Sequence, residues 1–176
     1  HEFTSSRIHE FTILPAQDPR KRAMKFLLVD RIESIEPGKR IVTVKALSLA
    51  EEYLADHFPA FPVMPGVLML EAMVQAGAWL VRLKQEFSRS IVVLSAARNV
   101  RYASFVTPGN VLRCEVEAAE IGPDSAKLKG AASVEGRGAV SARIELKCFN
   151  LRDAHAYLAS ADEEIVRSLR QRFKLI

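Results

Sequence analysis

The chain has 176 residues, 49% hydrophobic and 26% charged, a balance that predicts one ordinary globular domain with a sizeable core. Its net charge of +4 is small and scattered, which argues against nucleic-acid binding but suits weak docking of an acidic partner. Its two cysteines, Cys114 and Cys148, form no C-x-x-C and no cluster with histidine, so both are expected as reduced core thiols of a cytoplasmic protein.

Residues 1–12 contain HEFT twice, and a polar, basic stretch separates them from Met24. With no long apolar core and no small-residue cleavage site, residues 1–23 read as an appended or flexible extension rather than a signal peptide. From Met24 the pattern turns strand-like. KFLLVDRIESIE, the turn signal PGK and the alternating RIVTVKAL predict a first hairpin. SLAEEYLADHF follows as a short helical turn with Ser48 as candidate N-cap. A segment with prolines at 59, 62 and 65 then leads into a helix from about Pro65 to Lys84, weakened only by Gly77. Its apolar stretch, Val67 to Val81, is broken by Glu71 and Gln75 and falls short of the roughly 20 residues of a membrane span. SIVVLSAARNVRYA is the next strand and FVTPGN a turn. VLRCEVEAAEIG, AKLKGAASVEG and RGAVSARIELKCFN complete an antiparallel meander. The tail from Leu151 to Ile176 carries a mixed-charge helix, DEEIVRSLRQRF, of surface or partner-packing type. One apolar helix among antiparallel strands predicts an α+β fold with the sheet wrapped around the helix.

The chemistry concentrates in HFPAFPVMPGVLMLEAMVQ, His57 to Gln75. A helix apolar on every face is buried, and residues four apart share a face. A carboxyl buried there favours its neutral, proton-donating form, and Gln75 is placed to hydrogen-bond Glu71 and orient it. At the helix start, Gly66 carries an amide without an intrahelical partner and no side chain to block an approaching oxygen. With the helix dipole, that makes an oxyanion site. The prolines stiffen the approach and fix where His57 points. A histidine base, a carboxylic acid and an oxyanion-stabilising amide suit removal of a proton next to a carbonyl, followed by loss of a β-hydroxyl. On residue types alone two other readings stay open: a structural histidine, and a Glu71 paired with Arg98, Arg101 or Arg113.

The same stretch resembles the signature of the β-hydroxyacyl-acyl carrier protein dehydratases of the hotdog fold, in the type whose acid is glutamate. The resemblance covers about residues 24–150, with FLLVDRI and RYASFVTPGN in the family's order. It implies His57 and Glu71 as the catalytic pair, Gly66 as the glycine whose amide binds the thioester carbonyl, and Gln75 as the glutamine near the acid. Phe58, Pro59, Val63, Met64, Pro65 and Val67 match positions around the active-site tunnel, whose shape Phe61, Met69 and Trp79 are expected to help set. It further implies edge-to-edge dimers with each site drawing histidine from one subunit and glutamate from the other, commonly three dimers to a hexamer. The implied substrate is a 3-hydroxyacyl chain on acyl carrier protein, the product is the trans-2-enoyl thioester, and no metal or organic cofactor takes part. This copy departs from the pattern at Asp56 and Ala60, where glycines are usual, and at Ala103 and Ser104, where basic residues are. Lys84, Arg98 and Arg101 are the substitutes for a carrier-protein surface. A hotdog thioesterase and a non-catalytic acyl-binding subunit are the alternatives to the dehydratase.

Overall fold

Strands that bury every second residue must cover something on one face, and here they cover one helix. The computed structural model describes residues 26–176, so the readings of residues 1–23 as an extension and of Met24 as the start of structure lie outside the described residues. Six strands follow in sequence: β1 (Arg31–Glu36), β2 (Arg40–Ala46), β3 (Ile91–Tyr102), β4 (Val111–Ile121), β5 (Ser125–Val134) and β6 (Arg137–Phe149). They form one antiparallel sheet in the order β1-β2-β4-β5-β6-β3. Helix α1 (Gly66–Lys84) lies in its concave face, and helix α2 (Ala159–Phe173) follows β6. This is the expected sheet around a helix. By length and hydropathy α1 would also suit a membrane span, but the sheet covers it, and Ala72, Met73, Ala76, Leu80 and Val81 are fully buried.

The contact between helix and sheet depends on two glycines. A Cβ on Gly77 would lie 2.5 Å from Leu128 of β5, and one on Gly130 of β5 would lie 3.0 Å from the Met73 sulfur of α1. Helix and strand interlock because each omits a side chain where the other projects one. The glycine that costs α1 some helix propensity is thus its point of closest approach to the sheet. Cys114 and Cys148 are free and buried among these strands, and burial pushes the Cys114 thiol up to about 12.

Two expectations are corrected. FLLV is not a strand: the sheet begins at Arg31, and Gln75 of α1 holds residues 26–28 instead. Ser48 caps no helix. Its hydroxyl accepts from the Ala50 N–H at 3.2 Å, and the short 3-10 turn, Glu52–Leu54, begins after Glu51. The buried Lys45 ties this turn to β2, donating to Glu51 at 2.6 Å and to the Ala46 carbonyl at 2.9 Å.

The tail packs on its own chain. Leu169, Phe173 and Ile176 press against the core, and the Phe173 ring lies 5.9 Å from Trp79 and 6.2 Å from Phe87. Asp162 fastens the start of α2. Its carboxylate accepts from the Ser90 hydroxyl, from the Leu151 and Arg152 amides at 2.9 and 3.0 Å, and from the Arg152 side chain at 3.2 Å. Burial opposes the charge, but these donors outweigh it and hold the carboxyl down at about 2.

A group depressed in the folded state stabilises above its unfolded value, near 3.9, and that contribution is lost as pH falls toward the folded one. Between roughly pH 4 and pH 2, α2 is therefore expected to loosen before the sheet. Asp162→Ala should bring the loosening to neutral pH, read as faster amide exchange across residues 159–173 with unchanged protection in β4 to β6.

Candidate active site

Backbone hydrogen bonds close the loop before α1. The Val63 N–H donates to the His57 carbonyl at 3.0 Å, Phe58 and Phe61 exchange bonds at 3.3 and 3.0 Å, and the Met64 N–H donates to Val106 at 2.8 Å. The His57–Phe58 peptide is cis. The histidine ring stacks on Phe58 with centroids 4.3 Å apart, and its Nδ1 lies 2.9 Å from the Val63 carbonyl. A carbonyl oxygen only accepts, so Nδ1 carries the hydrogen and Nε2 of the neutral ring keeps a free lone pair. That is the form a general base requires. The ring's partner is thus Val63, and Asp56 is exposed beside it.

His57 opens into a cavity of about 260 Å³, shared with Gly66, Met64, Met69 and residues Tyr102 to Phe105. Gly66 is the first residue of α1, and among the described residues its N–H donates to no backbone carbonyl. A Cβ there would come within 3.0 Å of the Tyr102 ring, so any side chain would press on the wall facing the amide. The His57 ring and the Gly66 N–H therefore share one space. Of the other predicted residues, Val63 and Met64 are buried, while Phe58, Phe61 and Val67 present apolar surface to solvent. Phe61 meets Phe105 edge-on at 5.9 Å. Tyr102 and Phe105 were not anticipated as site residues. The signal was available in RYASF, where two aromatics fall at and just past a strand end.

Glu71 lies elsewhere. It is half-buried, short of the full burial expected, and lines a second cavity of about 450 Å³ with Gln75, Trp79, Val93 and Leu94. Gln75 does orient it. The Gln75 Nε2 donates to Glu71 Oε1 at 3.0 Å and to the Phe26 carbonyl at 3.0 Å, while its Oε1 accepts from the Leu28 N–H at 3.0 Å. The suggested arginine partners are engaged elsewhere or exposed: Arg98 pairs with Glu145 at 2.9 Å, Arg113 with Glu33 at 2.8 Å, and Arg101 faces solvent. Among the described residues no three His, Cys, Asp or Glu side chains are grouped to hold a metal ion. Within one chain, then, His57 and Glu71 line different cavities. Strand β3 lies at the sheet edge with Val93, Leu94 and Tyr102 exposed, an open apolar edge beside both.

Comparison with known proteins adds to this geometry. A family model described as a FabA-like domain matches residues 21–143. A curated relative from Clostridium acetobutylicum, 3-hydroxyacyl-acyl-carrier-protein dehydratase FabZ, is 40% identical over 118 residues, which is 67% of this chain and 84% of the relative. The protein of the same name from Pelotomaculum thermopropionicum is 42% identical over 119 residues, 68% of this chain and 85% of that one. Among solved structures, the dehydratase heterocomplex ApeI:P from Xenorhabdus doucetiae superposes with a TM-score of 0.62 at 18% identity, covering 76% of this chain and 90% of that one. The PaaI protein of E. coli superposes with a TM-score of 0.52 at 11% identity, covering 68% and 79%. At such identities these two show a shared fold only.

The Gln75 amide links Glu71 to the backbone of residues 26 and 28. Replacing it by leucine is expected to cost about 1–3 kcal/mol of stability, since the Leu28 amide loses its acceptor. Denaturant unfolding of Gln75→Leu checks this, and faster amide exchange at Leu28 should accompany it.

Proposed function

This chain belongs to the FabA-like family, and from that premise we propose the following reaction and division of labour. The protein is a hotdog-fold lyase, a 3-hydroxyacyl-acyl-carrier-protein dehydratase of fatty-acid biosynthesis, acting on thioesters carried by acyl carrier protein. His57 Nε2 removes the proton from C2 of the substrate. The Gly66 N–H, at the positive end of α1, hydrogen-bonds the thioester oxygen as negative charge builds there. The electron pair from the broken C–H bond forms the C2–C3 double bond, the C3–O bond breaks, and the hydroxyl departs as water with a proton from Glu71. Proton return from His57 to Glu71 restores both groups, and no cofactor enters the balance.

The observation that carries this reading is the separation of base and acid into two cavities of one chain, beside the same open β3 edge. A second copy paired along β3 would extend the sheet and cover Val93, Leu94, Tyr102 and Phe105. It would set the His57 and Gly66 of one subunit against the Glu71 of its partner. The half-exposure of Glu71 in one chain would then end at the interface, where its carboxyl would face the substrate hydroxyl away from bulk water. Further assembly to a trimer of dimers, a cytoplasmic location and weak docking of the acidic carrier on scattered surface cations such as Arg101 accompany this reading.

His57→Ala and Glu71→Gln are each expected to lower kcat about a hundredfold or more with no loss of folding, followed as water loss from a 3-hydroxyacyl thioester. Mixed and refolded together, the two inactive variants should recover about a quarter of the wild-type rate, because one site in each mixed dimer is whole. A mixture as inactive as its parts would refute the shared site. Release of free thiol instead of an enoyl product would favour the thioesterase alternative.

A further inference from the structure

The Glu71 cavity has a far end that the dehydration chemistry leaves unexplained. Along α1, Glu71, Gln75, Ala78 and Arg82 form a stripe, since eleven residues make about three turns and return to the same face. All four line the cavity, with Ala78 as the low point between the polar positions. The stripe thus begins at the acid and ends at an arginine, about 16 Å farther along the helix axis.

At that end the cavity is lined by Leu169 and Arg172 of α2 and by the C-terminal Ile176. These residues follow the segment matched by the family model, which ends at 143. Arg82 and Arg172 therefore face one space, and neither has a carboxylate, the terminal one included, within ion-pair distance among the described residues. The Arg82 guanidinium lies against the Trp79 ring at 5.6 Å, and its Nε is buried without a hydrogen-bond partner. Burial, with the neighbouring Arg172 adding to it, pulls Arg82 down to about 10. Two guanidinium groups brought together in a partly apolar space, with no acid beside them among the described residues, call for an anion. An acyl chain held with C3 at Glu71 and its tail along the stripe points at them. An extended alkyl chain advances about 1.25 Å per carbon, so about thirteen carbons beyond C3 span the full rise, and fewer suffice because the Arg82 side chain leans back toward the helix N-terminus.

We infer that Arg82 and Arg172 form a subsite for the far end of the acyl chain, selecting 3-hydroxyacyl thioesters that end in a carboxylate over those that end in a methyl group. The inference rests on the dehydratase reading for its orientation, with Glu71 at the reacting end.

The test uses the full chain and two readouts. In the first, kcat/KM is measured for 3-hydroxyacyl-carrier-protein substrates of matched length, about twelve to sixteen carbons, ending in methyl or carboxylate, with 3-hydroxybutyryl as a chain too short to reach the arginines. The carboxylate-ended substrate is expected to be favoured about tenfold or more. Arg82→Met and Arg172→Met should each remove that preference and leave the 3-hydroxybutyryl rate unchanged. Arg172 lies on the outer helix, so its variant remains informative should Arg82→Met fold poorly. In the second readout, pantetheine thioesters with saturated chains of the same two kinds are titrated while following the fluorescence of Trp79, the one tryptophan in the chain. The carboxylate-ended thioester should bind tighter, and Arg172→Met should equalise the two. Equal handling of both chain ends by the wild type, or a preference that survives both substitutions, overturns the inference. Loss of the dehydratase reading would show separately, as no turnover of any substrate including 3-hydroxybutyryl, with the binding readout still deciding the subsite.

Discussion

Everything chemical in this chain is referred to one contact, the close seating of α1 in the sheet. Gly77 against Leu128 and Met73 against Gly130 bring helix and strand nearer than ordinary side chains would allow. Once α1 is seated, its start places the Gly66 amide at one cavity, its middle places Glu71 and Gln75 at another, and its last turns carry Arg82 to the far end of the second. A helix held less firmly would blur all three positions together, because they are fixed by a single rigid body.

Around that body the polar groups are arranged by small, local devices. Gln75 spends its donors and acceptor on Glu71 and on the backbone of residues 26 and 28, so orienting the acid and docking the first segment are one interaction. Val63 does for His57 what a carboxylate does in many sites. A backbone carbonyl receives the Nδ1 hydrogen and leaves Nε2 free, with a neutral group as the ring's hydrogen-bond partner. The departures at Asp56 and Ala60 lie on exposed parts of this loop and leave that hydrogen bond intact.

Parts of the fold were legible from residue pattern. Alternation in AKLKGAASV and RGAVSARIELKCF showed buried and exposed faces directly, because a strand facing a helix on one side and solvent on the other repeats every two residues. The long apolar segment around Glu71 announced a buried helix. FLLV misled, since an apolar run reads as a strand whether it bonds a sheet or, as here, the side chain of a helix residue 47 positions away. β3 was legible as a strand but its edge position was not, because residue pattern does not record which neighbouring strand is missing.

By itself the sequence determined the chemical types and their order: a histidine in a proline loop, a glycine opening a helix, and an acid and an amide four residues apart. Those follow from local rules, since helix period, proline and glycine act within a few residues. Only the tertiary structure decided which of them share a space. It set His57 and Gly66 in one cavity and Glu71 in another, and it folded the C-terminal helix back so that Arg172 joined Arg82. The reason is physical: cavities arise between elements distant in the chain, and no spacing along the sequence records which surfaces the packing of a sheet around a helix will bring together.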